Sequence, residues 1–151
     1  MAHNDLDEQN KIVSDLNCSQ RNMEAADPLS RYNGGFTRYD FLQSSDIQDL
    51  NIECGLLLLM AFWSGPAAMA LQTVCRAFSQ SSVPDHFCFR VLDVDGVPRP
   101  VIEELIARSG LASHGYGEGY WFRDGKIFAA ERCHTITEAR ILELLSEATQ
   151  T

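Results

Sequence analysis

The segment Trp63-Ser64-Gly65-Pro66-Ala67 is the part of the chain whose residue types and spacing come nearest to a reactive site. A serine hydroxyl becomes a nucleophile only when a general base lies within hydrogen-bond reach. The neighbours of Ser64 match neither G-x-S-x-G nor S-x-x-K, two patterns that are typical of serine enzymes. A serine directly before a helix can instead cap the first N–H groups of that helix. We therefore predict that Ser64 is a helix cap, and we assign no catalytic residue.

Five cysteines are spread along the chain without C-x-x-C spacing. An odd number without that spacing disfavours both a zinc site and a disulfide framework. Cys75, Cys88 and Cys133 fall in apolar segments, which predicts buried thiols in a reducing compartment. Asp93 and Asp95 lie at the end of a predicted strand and are interpreted as strand-exit residues rather than as an acid pair. We expect no metal and no cofactor, since the four histidines also lack metal-ligand spacing.

The overall charge limits the classes of partner. The 151 residues carry a formal net charge of −9, whereas binding to nucleic acid or to an anionic membrane needs clustered Lys and Arg. We expect neither, while an acidic surface is compatible with a basic protein partner. The N-terminus lacks the pattern of a signal peptide, and the longest apolar run, 55–63, is too short to span a bilayer. These features predict a cytoplasmic protein with one domain core and leave the oligomeric state open.

Apolar strands and amphipathic helices must position these residues. The run Leu56–Trp63 has no polar alternation, which predicts a strand covered on both faces. Pro66 is suited to the first turn of the helix that follows. The apolar stripe of that helix is Ala70, Leu71, Val74, Cys75 and Phe78. A second apolar strand, HFCFRVLDVD, comes next, and a second helix runs from Pro100 to a stop at Gly110.

The C-terminal part of the chain is predicted to form a hairpin and a last helix. Asp124-Gly125 is a preferred pair for a two-residue turn, and apolar residues flank it in YWFRDGKIFAA. Thr135-Ile-Thr-Glu138 has the pattern of a capping box with Thr135 as the cap. The predicted apolar side of the last helix consists of Ile136, Ala139, Ile141, Leu142, Leu145 and Ala148.

The first part of the chain is polar and weakly patterned. We divide the chain into an N-terminal extension, residues 1–35, partly helical or disordered, and a domain, residues 36–150. Within the domain, FTRYDFL predicts a strand and SSDIQDL a short helix. The strand–helix–strand unit predicts parallel pairing, and the hairpin adds antiparallel strands. The predicted fold class is therefore α/β, with three α/β/α layers and a mixed central sheet.

The order of elements and several local motifs resemble the thioredoxin-like fold family. LLLLMAFWSGPAAM is similar to the family's apolar strand followed by Trp-Cys-Gly-Pro-Cys, and FRVLDVDGVP is similar to its third strand and strand exit. GYWFRDGKIFAA is similar to the family's terminal hairpin, and a last helix ends both. The resemblance covers about residues 36–150 and implies a thioredoxin-like domain.

Departures from the family pattern imply that disulfide chemistry is absent. Ser64 and Ala67 stand where the family has the nucleophilic and the resolving cysteine. Leu58 stands where redox members carry a buried carboxylate. No proline follows Pro100, so the family's cis-proline is missing, and the matching position falls near Gly117 in a longer loop. The resemblance therefore implies a redox-inactive member.

The glycine-rich loop SHGYGEGYW adds aromatic residues to the candidate site. Tyr and Trp contribute much of the energy at protein contacts, and in thioredoxin-like proteins this loop and the Trp-x-Gly-Pro turn together grip a client chain. We predict a partner-binding face formed by Trp63, Ser64, Gly65, Pro66, Ala67, His114, Tyr116, Gly117 and Tyr120. The alternative stays open that Tyr120 and Trp121 are core residues of the hairpin and that the glycines only form a turn.

The predicted function is protein binding by a redox-inactive thioredoxin-like module that acts as an adaptor, an assembly chaperone or an inhibitor. One alternative is an acidic inhibitor of a basic toxin or nuclease, as bacterial immunity proteins are, and only the net charge motivates it. The other alternative is an enzyme that uses a thiol at Cys75 or serine chemistry at Ser64. The resemblance places the loop of His114 beside Ser64, while Cys75 lies on the apolar face of its helix.

Overall fold

The computed structural model of the protein describes residues 29–42 and 51–150. The chain divides into two units, residues 1–31 and 32–151, and the account that follows concerns the second. The predicted short helix over residues 44–50 lies outside the described residues, as does most of the predicted N-terminal extension. The described elements are β1 (Asp40–Leu42), β2 (Gly55–Met60), α1 (Gly65–Ser79), β3 (Cys88–Asp93), α2 (Arg99–Ser109), β4 (Tyr116–Arg123), β5 (Lys126–Arg132) and α3 (Glu138–Thr149).

The five strands form one mixed sheet in the order β1-β3-β2-β4-β5. β3 pairs in parallel with both β1 and β2, whereas β4 pairs antiparallel with β2 and with β5. Helices cover both faces, because α1 packs on α3 and both contact β4, while Leu105 of α2 joins the core on the other face. The predicted layers, the parallel strand–helix–strand unit and the terminal hairpin are confirmed.

β2 lies at the centre of this sheet, and all of its residues are buried. Successive strand residues point to opposite faces, so β2 contributes to both halves of the core. Leu57 and Leu59 pack in the same cluster as Leu105 and Phe122. A strand covered on both faces needs an uninterrupted apolar sequence, which is what the chain supplies here. None of the described helices is long and apolar enough to cross a lipid bilayer.

The end of β2 differs from the prediction. The strand stops at Met60 rather than at Trp63. The backbone N–H of Ala61 then donates to the carbonyl of Gly115 at 3.0 Å, and Phe62 and Trp63 are exposed. An apolar run does not by itself reveal such an exit, since large apolar residues also occur on protein surfaces.

The turns follow the local sequence closely. Gly110 ends α2 with a φ of 75°, as a helix C-cap in the left-handed region requires. Asp124 and Gly125 have φ values of 52° and 73°, the positive pair that a type I′ hairpin turn needs. Both features confirm predictions made from the residue types alone.

The start of α3 corrects the predicted capping box. The N-cap is Thr137, whose hydroxyl oxygen accepts from the backbone N–H of Arg140 at 3.2 Å. Thr135 instead donates its hydroxyl to the carbonyl of Arg132 at 2.8 Å, before the helix begins. The apolar side shifts accordingly and consists of Ile141, Leu144, Leu145 and Ala148, with Ala139 exposed.

Candidate functional site

The candidate site lies at the edge of the sheet where β2 and β3 end and β4 begins. In the register of the sheet, Met60 pairs with Asp93 of β3 and with Tyr116 of β4. The Trp63 turn, the residues after β3 and the loop before β4 therefore meet at one edge. In open α/β sheets, binding sites commonly lie outside the carboxyl ends of the strands.

Ser64 acts as the N-cap of α1. Its side-chain oxygen accepts from the backbone N–H of Ala67 at 3.2 Å, and its carbonyl accepts from Ala68 at 3.2 Å. The residue is 4% exposed. No hydrogen bond from the Ser64 hydroxyl to His114 is present among the described residues. The arrangement is that of a helix cap, with the hydroxyl oriented towards the backbone rather than towards a base.

The described cysteines are poorly suited to thiolate chemistry. Cys75 is 1% exposed on the inner side of α1. Desolvation, followed by nearby carboxylates, raises the pKa of Cys133 to about 12. Burial also raises the pKa values of Cys54 and Cys88, and Cys88 is only half-buried, less than predicted. Because the thiolate is the reactive form, a raised pKa opposes reaction.

No cluster of three or more His, Cys, Asp or Glu side chains in the described ranges is arranged to hold a metal ion.

Large apolar side chains are exposed at this edge. Trp63 is 65% exposed and Tyr116 is 40% exposed, and their rings meet edge to face with centroids 6.3 Å apart at 84°. Phe62, which directly precedes Trp63 in sequence, is also exposed, and its ring contacts that of Phe41 in β1 with centroids 5.6 Å apart. We call Phe62, Trp63 and Tyr116 the aromatic face. Exposed apolar patches on a protein surface often mark binding sites, so this face is a candidate contact surface.

Asp95 holds the Trp63 ring in place. The indole Nε1–H of Trp63 donates to Asp95 Oδ2 at 2.9 Å. The backbone N–H of Asp95 donates in turn to Asp93 Oδ1 at 3.1 Å, within the 3₁₀ turn Val94–Gly96 that follows β3. Asp93 is the last residue of β3 and Asp95 lies two residues beyond it, so both stand at the strand end, as interpreted from the sequence. The contact with Trp63 was not predicted, because it joins residues far apart in the chain.

Gly117 brings the loop before β4 against α1. Its φ is 91°, and a Cβ built on it would lie 2.3 Å from the Cβ of Ala70 and 3.5 Å from the Cα of Ala67. Only glycine fits so close an approach with that backbone conformation. The chain thus places Gly117 next to the first turns of α1, in the region where the resemblance located it.

A buried carboxylate organises the same loop. Glu118 is 0% exposed, and its Oε1 accepts from the backbone N–H groups of His114 at 2.9 Å and Tyr116 at 3.5 Å. Its Oε2 accepts from the Ser113 hydroxyl at 3.3 Å. Sequence reasoning missed Glu118. The alternation of β4 puts residue 118 on the same face as Tyr120, but both faces of this strand are buried, so alternation alone could not single out Glu118.

Several predicted site residues do not reach the surface. Tyr120 is 0% exposed and its hydroxyl donates to the carbonyl of Leu111 at 3.0 Å, so it is a core residue, and its assignment to the partner-binding face is corrected. Burial, and then the charge of Glu118, raise the pKa of Tyr120. The side chain of Ala67 is also fully buried. The alternative interpretation of the hairpin is therefore the correct one for Tyr120.

Ser64 and Gly117 are buried as well, whereas the other predicted residues are exposed. Gly65, Pro66 and His114 are exposed, and the His114 ring lies 6.2 Å from the Tyr116 ring, centroid to centroid. Met69, which the sequence analysis did not single out, is 59% exposed in α1. Its exposure was readable from the helix, because position 69 falls outside the apolar stripe.

Comparisons with known proteins support the fold. A solved structure of a thioredoxin from Malassezia sympodialis, Mala s 13, is similar to this chain with a TM-score of 0.54 and 14% sequence identity. The match covers 74% of this chain and 91% of that chain. No protein-family model matches the sequence, and no curated protein matches it. The protein therefore has a thioredoxin-like α/β fold, and at this identity the likeness extends to the fold alone.

Proposed function

We propose that this protein binds another protein through its aromatic face and does not catalyse disulfide exchange. The observation that carries the proposal is the exposure of Trp63 and Tyr116 at the edge where α1 begins. Aromatic side chains with few rotatable bonds supply large contact areas at low entropic cost, and they dominate the energy of many protein interfaces.

The sequence at the start of α1 supports the absence of disulfide exchange. Such exchange needs a thiolate at a helix N-terminus and a second thiol to release the mixed disulfide. Ser64 and Ala67 occupy those positions, and the Ser64 oxygen is engaged as a cap. A buried Cys75 is a poor substitute because a partner disulfide would not reach it.

The inhibitor of a basic toxin is a narrower form of the same proposal. Asp93 and Asp95 stand beside the aromatic face, and Asp95 is exposed. Acidic groups next to an apolar contact surface favour a basic partner by electrostatic steering. The adaptor and chaperone roles use the same face, and the identity of the partner distinguishes them.

Site-specific photo-crosslinking tests the binding proposal in the full-length protein. A benzoylphenylalanine placed at Phe62 is expected to form a discrete adduct with one protein in extracts of the source cells. The same group at the exposed His86, on the loop between α1 and β3, serves as the matched control. The double variant W63A/Y116A should abolish the Phe62 adduct without unfolding the domain, since both side chains are exposed.

An insulin-reduction assay with dithiothreitol tests the second half of the proposal. The protein is expected to add nothing to the rate given by the reagent alone. The double variant S64C/A67C, which supplies both thiols at the start of α1, is the positive comparison. Equal crosslinking from positions 62 and 86, or insulin turnover by the unmodified protein, would contradict the proposal.

A further inference from the structure

We propose that the aromatic face recognises an arginine side chain of the partner protein, stacked on the indole of Trp63 and paired with Asp95. This inference rests on the proposed function and adds the chemistry of the group that is bound. Three observations at the same edge carry it. They are the geometry of two rings, a carboxylate fixed at the rim of one of them, and the lack of an ion pair to that carboxylate within the described ranges.

The two rings form two sides of an open corner. The planes of Trp63 and Tyr116 meet at 84° with centroids 6.3 Å apart, so the face of one ring adjoins the edge of the other. Both side chains are accessible to solvent. Corners of this kind, made from electron-rich ring faces, attract cations through the ring quadrupole, and Trp gives the strongest such attraction.

The carboxylate of Asp95 lies at the rim of this corner. Its Oδ2 accepts from the Trp63 indole N–H at 2.9 Å, which leaves Oδ1 and the remaining lone pairs of the group for another donor. The neighbouring Asp93 adds a second negative charge, half-buried below it. An isolated acidic pair would indicate little, but here the hydrogen bond fixes a carboxylate and an exposed indole to each other.

Among the residues that the structure describes, no ion pair joins a cation to Asp93 or Asp95. In the described part of the chain, each arginine that forms an ion pair does so with a carboxylate other than Asp93 and Asp95. The nearest such arginine in sequence, Arg99, pairs with Glu103 at 3.0 Å. The whole chain has a net charge of −9. Charge complementarity therefore favours a basic side chain from a partner rather than a second, equally acidic copy of this chain.

Arginine fits the corner better than lysine does. The guanidinium group is planar, so it can stack on the indole while its N–H groups point sideways to a carboxylate. A lysine ammonium is more strongly hydrated and has no flat face to stack. The carboxylate of Asp95 accepts from the indole N–H at the edge of the Trp63 ring, so it can also accept from the N–H groups of a guanidinium stacked on that ring.

A titration with short peptides tests the inference. The probe is acetyl-Gly-Arg-Gly-amide, compared with the same peptide containing citrulline, which has nearly the same shape without the charge. The signal is the indole N–H resonance of Trp63 in ¹⁵N-labelled full-length protein. The buried Trp121, which is 0% exposed, provides an internal reference in the same spectrum.

The matched variants are D95N and D85N. Asparagine at position 95 keeps an oxygen that accepts from the Trp63 indole, so the ring stays in place while the charge is lost. D85N makes the same charge change on the loop between α1 and β3, where Asp85 contacts Arg38 at 3.8 Å. We expect saturable shifts of Trp63 with the arginine peptide only, and an affinity about three- to fivefold weaker in D95N but unchanged in D85N.

Several results would overturn the inference. These are equal shifts with the citrulline peptide, no saturable shift at Trp63, equal affinity in D95N, or shifts that grow with protein concentration without peptide. The last result would assign the face to a second copy of the chain. The first three results leave the crosslink from position 62 to another protein in place, so failure of this inference is distinguishable from failure of the proposed function, whereas the fourth would also replace that crosslink by an adduct between two copies.

Discussion

At the level of one residue, the side chain of Glu118 holds the loop before β4 in place beside the aromatic face. Its carboxylate is buried and accepts from two backbone N–H groups of the loop and from a hydroxyl. A buried charge is tolerated only where hydrogen bonds replace the lost water. The carboxylate therefore fixes the backbone that carries His114 and Tyr116, without contacting a partner.

Removal of this carboxylate is expected to destabilise the domain. Glu118→Ala leaves the N–H of His114 and the hydroxyl of Ser113 without their acceptor, at a cost of about 1 to 3 kcal/mol in the free energy of unfolding. Glu118→Gln keeps one acceptor oxygen and should cost less. Urea denaturation measures both, with Glu103→Gln as control, since Glu103 is an exposed residue of α2. Identical stability of wild type and Glu118→Ala would refute the assigned role.

At the level of elements, the start of α3 is set by tertiary contacts rather than by the capping-box pattern in the sequence. Thr135 and Thr137 stand two positions apart, and the sequence analysis assigned the cap to Thr135. The backbone N–H of Cys133 donates to the carbonyl of Gly117 at 2.8 Å, and that of Thr135 donates to Arg132 at 3.0 Å. The chain is thus still turning away from β5 at Thr135, and the helix begins only after Thr137.

The two threonines should therefore respond differently to substitution. Thr137→Ala removes the cap of α3 and is expected to lower the free energy of unfolding by about 1 kcal/mol. Thr135→Ala loses only an exposed hydrogen bond to Arg132 and should have a smaller effect. Thermal or urea denaturation of the two variants makes the comparison. A larger loss of stability in Thr135→Ala than in Thr137→Ala would instead support Thr135 as the cap, as predicted from the sequence.

For the whole molecule, ionisable groups buried in the core make the free energy of unfolding depend on pH in the alkaline range. The pKa of Cys133 is raised from 9.0 to about 12, chiefly by desolvation. The folded protein therefore keeps this thiol protonated where the unfolded chain releases the proton. The resulting stabilisation of the neutral thiol is fully present below pH 9.0 and is lost as pH rises towards 12. Tyr120, with its pKa also raised, acts in the same direction at higher pH.

The stability of the domain should accordingly fall as pH rises above 9.0. Each pH unit between 9.0 and about 12 is expected to cost about 1.4 kcal/mol from Cys133 alone. Urea midpoints measured from neutral into alkaline pH give the slope. Cys133→Ala is expected to be less stable at neutral pH because it leaves a cavity, but its stability should fall less steeply as pH rises above 9.0. Parallel slopes in the two proteins would rule out this thiol as the cause.

Much of the fold was predictable because its signals are local. The uninterrupted apolar run of β2, the Gly110 stop and the Asp124-Gly125 turn each depend on residues close together in sequence. The candidate site was predicted only in part. Trp63 and Tyr116 were identified by type, whereas Tyr120 was misplaced because exposure depends on the strand's packing rather than on the residue's polarity.

The sequence by itself determined the order of strands and helices, the serine and alanine at the start of α1, and the acidic charge. Hydrophobic periodicity and turn chemistry act over a few residues, so these features need no knowledge of distant contacts. Only the tertiary structure decided that Asp95 holds Trp63, that Gly117 lies against Ala70 and that Glu118 is buried. Each of these contacts joins segments that are far apart in sequence, and the packing of those segments sets the distances between them.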